Sequence, residues 1–170
     1  MTGRRRPFVV TVADLLARPG VQRRVEVEGA RPDLALSSSA VVQGEPVRAE
    51  LVLESTGSAI VASGRVVAQW IGECRRCLGE VRGEAVSEIR EVFERHPTDG
   101  ETYLLHGDDI DLEPLLRDAV LLALPIAPLC DQACGGPEPE AYRVMTAADE
   151  EAETRPVDPR WSVLDQLRGN

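Results

Sequence analysis

The sequence predicts an α+β domain: an antiparallel β-meander with a core helix near residues 111–124 and short N- and C-terminal helices. Three observations carry that expectation. Apolar and charged residues alternate through residues 47–54 and 81–95, the two-residue period of strands with one wet face. Leu112, Leu115, Leu116, Ala119, Val120 and Ala123 recur at helical spacing. The 170 residues, 43% of them apolar, suffice for one core but not for two independent ones.

Taken in order, residues 11–18 read as a short helix, ended by the Pro19-Gly20 breaker pair. Residues 25–28 alternate as a half-buried strand would, and 30–40 are small and polar, a loop. In the next strand Val47, Ala49, Leu51 and Leu53 share a face, opposite Arg48, Glu50 and Glu54, with Val52 out of pattern. After the Thr56-Gly57-Ser58 turn, residues 59–71 are rich in β-branched side chains, with Gly64 as a candidate bulge. A tight turn at 72–79 bears two cysteines, and Val81, Ala85, Ile89 and Phe93 then mark one face of another long strand. Residues 96–107 are expected to be a polar loop containing His96 and His106 as surface residues. Asp108, Asp109, Asp111 and Glu113 stand before the helix, where carboxylates cap exposed amides; Pro114 sits in the first turn and Pro125 stops the helix. The chain is therefore divided into one domain at 1–137, an acidic flexible linker at 138–160 and a short amphipathic segment at 161–170.

The net charge of −10 is unevenly spread: +1 over residues 1–64, zero over 65–95 and −11 over 96–170. The first 24 residues reverse the balance, with six arginines against Asp14 alone. A large nucleic-acid footprint is disfavoured by the overall acidity, so phosphate contact is assigned to Arg4, Arg5, Arg6, Arg23 and Arg24, with Arg75 and Arg76 on the cysteine turn as a second contact. Aromatic residues, 4% of the chain, are too few for a row of base-stacking platforms. No apolar run reaches the roughly 18–20 residues that span a bilayer, and Asp14 interrupts the N-terminal apolar stretch too early for a secretory leader. The expected location is the cytoplasm.

Four cysteines fall in two close pairs, Cys74-x-x-Cys77 and Cys130-x-x-x-Cys134. Such spacing lets both thiolates of a pair reach one tetrahedral ion, and two pairs complete a structural zinc site. Gly72 and Gly79 flank the first pair and Gly135-Gly136 follow the second, supplying tight backbone. Reduced unliganded thiols and a thiol-redox pair remain the alternatives. The redox reading is the weaker, because Cys74 ends a strand and no helix start follows it. No phosphate loop and no nucleophile elbow occur, so nothing in the residues supports an enzyme or a small-molecule substrate.

The order of motifs adds to this. Arg18-Pro19-Gly20, Gly44-Glu45-Pro46-Val47, Gly72-Glu73-Cys74-Arg75-Arg76-Cys77-Leu78, Asp109-Ile110-Asp111-Leu112-Glu113-Pro114, Ala123-Leu124-Pro125-Ile126-Ala127-Pro128 and Asp158-Pro159-Arg160-Trp161 follow one another along the chain. In this order the chain resembles the YceD family of large ribosomal RNA subunit accumulation proteins over nearly its full length. The resemblance implies a non-enzymatic factor supporting accumulation of large-subunit (23S) ribosomal RNA, acting by binding that RNA or a basic ribosomal protein. Relatives often carry further cysteines after the second pair; here Cys134 runs into Gly135-Gly136-Pro137-Glu138, leaving the minimum set for one metal ion. A cytosolic thiol oxidoreductase using Cys74 and Cys77, and a purely protein-binding adaptor, are the competing functions.

Overall fold

The computed structural model describes residues 7–31, 33–137 and Ala141. By its contacts the chain divides after Cys134, into Met1–Cys134 and Gly135–Asn170, and the architecture below is that of the first unit. The expected linker, apart from Ala141, and the C-terminal amphipathic segment lie outside the described residues.

In chain order the elements are β1 (Val9–Thr11), α1 (Ala13–Leu16), β2 (Gln22–Ala30), β3 (Ser39–Val41), β4 (Pro46–Ser55), β5 (Ala59–Glu73), β6 (Glu80–Glu94), β7 (Tyr103–His106), β8 (Asp109–Asp111) and α2 (Glu113–Ala123). They form one eight-stranded sheet in the order β1-β8-β7-β6-β5-β4-β2, with β3 also pairing to β5. The axis is the β5–β6 hairpin, paired without interruption from Ala59↔Glu94 to Glu73↔Glu80. Beside β5, β4 covers residues 60–67 and β3 covers the far end, where Ser39 faces Gly72 and Val41 faces Trp70.

The class is α+β in the coarse sense, mostly strand with two short helices. The expected antiparallel meander needs correction, because β7 runs parallel to β6 (Phe93↔Tyr103) and makes the sheet mixed. The short strands also differ from expectation. Thr11 belongs to β1 and the first helix shrinks to Ala13–Leu16; β3 lies in the expected 30–40 loop, and β7 in the expected 96–107 loop. Strands of three or four residues show no period, and their partners are remote in sequence, as in Val9↔Asp111. Gly64 is not at a bulge, since the β4–β5 register runs through Leu51↔Gly64. It instead has a φ of 147° and a close approach that a Cβ would block by overlapping the Glu50 carbonyl oxygen.

Val47, Ala49, Leu51 and Leu53 are buried on one face of β4, joined by Ala85 and Phe93 from β6. Leu115, Leu116, Ala119 and Val120 of α2 are buried too, and the helix packs against β5 and β6. At its start the Asp111 carboxylate accepts the Glu113 N–H at 2.9 Å, while Asp109 accepts the Thr11 hydroxyl at 2.7 Å. Arg31, just after β2, bridges Asp33 and Glu113, and Arg117 reaches Asp33 at 3.1 Å. The Arg31 guanidinium, hydrogen-bonded to Asp33, holds that carboxyl below the usual range. These pairs link the chain after β2 to the outer face of α2.

Truncating Leu116 to Ala is expected to cost about 2–5 kcal/mol in chemical denaturation, as for other buried leucines. Leu116→Asp would bury an unpaired charge and should abolish cooperative unfolding. An unchanged denaturation midpoint in both variants would show that α2 is peripheral to the core.

Candidate metal centre

Cys74 follows the last residue of β5, and the turn 74–79 closes on itself there. The Cys74 N–H donates to the Gly79 carbonyl at 2.8 Å, and the Leu78 N–H to the Cys74 carbonyl at 2.9 Å. Leu78 takes a left-handed φ of 60° in that reversal. This arrangement aims turn amides at the Cys74 sulfur.

The second pair arrives from the other side of the core. After α2 the chain doubles back over the hairpin tip: the Ser39 hydroxyl donates to the Pro125 carbonyl at 2.7 Å, the Ser38 hydroxyl to that of Ile126, and the Arg75 N–H to that of Pro128 at 2.9 Å. Gly72 leaves room for this crossing. A Cβ there would overlap the Ser38 carbonyl oxygen and stand 3.2 Å from the Pro128 ring. Beyond it, Asp131 shapes the second loop by accepting the Ala133 N–H on its carboxylate at 2.7 Å and the Cys134 N–H on its carbonyl at 3.1 Å.

The four sulfur atoms thereby meet. All lie within 4.8 Å of one another, with 3.9 Å between Cys74 and Cys134 and 3.7 Å between Cys77 and Cys130. A regular tetrahedron with metal–sulfur bonds of about 2.3 Å has edges of about 3.8 Å, so the donors fit a tetrahedral zinc ion. Cys74 is buried, Cys77 and Cys134 are half-buried and Cys130 is exposed; none is in a disulfide. Zinc here would supply a rigid cross-link and no reaction chemistry, since four thiolates leave it no open position.

Without a cation the cluster accommodates one thiolate well. Backbone N–H groups of Cys77, Cys130 and Arg76 hold the Cys74 thiol down to about 6. Cys130 is pushed up to about 12, first by hydrogen bonding to Cys134 and then to Cys77 and Cys74. The low value of Cys74 thus comes from amides of both cysteine loops, and the element after the first loop is the strand β6. A resolving pair at a helix start has a different geometry.

The arginines assigned to phosphate contact fall into three groups. Arg4, Arg5 and Arg6 lie outside the described residues. Arg24 and Arg75 are exposed. Arg23 is paired to Asp14 at 2.7 Å and donates to the Thr11 carbonyl, and Arg76 Nη1 donates to the carbonyls of Gln132 and Cys134, each at 2.9 Å. His96 and His106 are both exposed. Sequence reasoning missed Ser38 and Ser39, whose only signal was a polar run too close to buried strand residues. It also missed Arg31 and Asp33, which act through a partner on α2.

Residues 62–168 match the family described as large ribosomal RNA subunit accumulation protein YceD. The chain belongs to the YceD family. The match takes in the hairpin tip, α2 and all four cysteines. An uncharacterized protein of Mycobacterium tuberculosis is 31% identical over 96% of this chain and 82% of its own length. One of Mycobacterium leprae is 30% identical over 95% of this chain and 77% of its own. The YlbN protein of Bacillus subtilis is 27% identical over 55% of this chain and 58% of its own. No solved structure matches. Among the described residues no helix is long and apolar enough to cross a membrane.

Cys130→Ser separates a ligand from a bystander. A surface thiol with no role would change stability by less than about 0.5 kcal/mol. As a ligand its loss should release the zinc and remove the stabilisation zinc gives, about 4 kcal/mol when the metal is a thousandfold above its dissociation constant. Thermal melting with and without a chelator reads this out: chelated wild type should melt with the variant. Identical melting of wild type and variant in the presence of zinc would contradict it.

Proposed function

We propose that this chain is a non-enzymatic binding factor for the large ribosomal subunit that supports accumulation of its 23S RNA in the cytoplasm. The observation that carries this reading is the family match across residues 62–168, which contain the hairpin tip and the whole cysteine cluster. Zinc held by Cys74, Cys77, Cys130 and Cys134 would fix the shape of the tip. Burial of Cys74, away from an incoming disulfide, supports this structural role over thiol exchange.

Contact with RNA would run through the N-terminal arginines and the tip, since the last 75 residues carry −11 and repel phosphate. Within that set, Arg23 and Arg76 already hold Asp14 and two loop carbonyls. Arg4, Arg5, Arg6, Arg24 and Arg75 are therefore the residues to change. With few aromatics, binding should be to the backbone and weakly sequence-selective. The acidic C-terminal part suits a basic ribosomal protein as a second partner.

The test is a salt titration of large-subunit RNA fragments against wild type and a variant with those five arginines changed to Ala. Removing each phosphate-binding arginine should flatten the log–log salt slope by about 0.7–0.9. A variant with the wild-type affinity and slope would show that these arginines do not hold RNA. A wild type that binds no RNA, yet co-purifies with ribosomal proteins after nuclease treatment, would replace RNA binding by the adaptor function. Insulin reduction that is lost on changing Cys74 and Cys77 to Ser would replace both by a redox function.

A further inference from the structure

The two cysteine loops are not equally self-sufficient. The first sits on the fifteen-residue strands β5 and β6 and is closed by its own backbone hydrogen bonds. The second belongs to neither helix nor strand, and its internal bonds come from Asp131 alone. The carbonyls of Gln132 and Cys134 are both taken by one side chain. Nη1 of Arg76, between the cysteines of the first loop, donates to each at 2.9 Å.

Arg76 is half-buried and makes no ion pair with a carboxylate among the described residues. Its polar contacts are to backbone carbonyls, on the residue that also presents the sulfur 3.9 Å from Cys74. A guanidinium suits this task, because the two N–H bonds of Nη1 diverge at a fixed angle in a rigid plane and so aim at two carbonyls. It also stands beside a group that would carry two net negative charges as a zinc tetrathiolate.

We propose that Arg76 is the positioning residue of the metal centre: by holding the Gln132 and Cys134 carbonyls it sets Cys134 opposite Cys74. This rests on reading the four cysteines as a metal site. It gives Arg76 a task distinct from its neighbour Arg75, which is exposed and uses its backbone N–H, not its side chain, to hold the strap.

The full chain, as wild type and as Arg76→Met, Arg76→Lys and Arg75→Met, is titrated with zinc against a chromophoric chelator. Loss of an outer-shell partner typically weakens metal binding about 10–100-fold, the loss expected for Arg76→Met. Arg76→Lys should be intermediate, since an ammonium keeps the charge without the fixed planar pair of N–H bonds. Arg75→Met, which removes the same charge and no carbonyl bond, should bind as wild type does. Cobalt reports the geometry: displacement of Cys134 in Arg76→Met should remove about a quarter of the sulfur-to-metal charge-transfer intensity, one donor of four. Arg76→Lys carries the comparison if Arg76→Met is insoluble. Wild-type affinity in both Arg76 variants overturns the positioning role alone. So does equal weakening in Arg75→Met, which would point to the field of the cations. A wild type that takes up neither zinc nor cobalt overturns the metal centre itself, and the role of Arg76 with it.

Discussion

Two serine hydroxyls and one backbone amide carry the chain from the end of α2 back across the tip of the β5–β6 hairpin. Ser38 and Ser39 hold the carbonyls of Ile126 and Pro125, and the Arg75 N–H holds that of Pro128. The cysteine cluster depends on this crossing, because 52 residues separate Cys77 from Cys130. The crossing in turn depends on β3, which brings the serines alongside Gly72, and on Gly72 having no side chain in the way. α2 fixes where the strap begins by seating Leu115, Leu116, Ala119 and Val120 against the sheet. A metal held by both pairs would tie these distant loops together, and its binding energy would add to the stability of the folded chain.

Legibility in the sequence follows the length of each element. β4, β5 and β6 are ten to fifteen residues long, so their alternation or β-branched character repeats often enough to be read. α2 announces itself by helical spacing between Pro114 and Pro125. β1, β3, β7 and β8 have three or four residues each and exist because a remote strand pairs with them. The parallel β6–β7 pairing was hidden for the same reason. In the site, the spacing of Cys74-x-x-Cys77 and Cys130-x-x-x-Cys134 announces two chelating loops, but not that Cys74 opposes Cys134 and Cys77 opposes Cys130. Arginine composition likewise cannot separate Arg75 from Arg76, since only the fold decides which one meets the carbonyls of the second loop.

The exposed face of the sheet bears on the proposed contact with RNA. Arg48 pairs with Glu28, Arg65 with Glu84 and Arg82 with Glu80, all exposed. Exposed pairs of this kind add about 0–1 kcal/mol each to stability. In each pair a carboxylate stands beside the cation, which offsets the pull of that arginine on phosphate. In the proposed function, contact with phosphate is assigned to the N-terminal arginines and to Arg75 at the tip. A cross-linked tip would present Arg75 at a fixed place, which joins the metal centre to the proposed function by geometry.

Four cysteines from two distant loops are read as one metal-binding clasp, and X-ray absorption at the zinc edge examines that clasp atom by atom. Protein purified without a histidine tag and loaded with one equivalent of zinc should show four sulfur neighbours at about 2.3 Å and no nitrogen or oxygen in the first shell. A first shell containing nitrogen or oxygen, or failure of the protein to retain zinc through gel filtration, would contradict it.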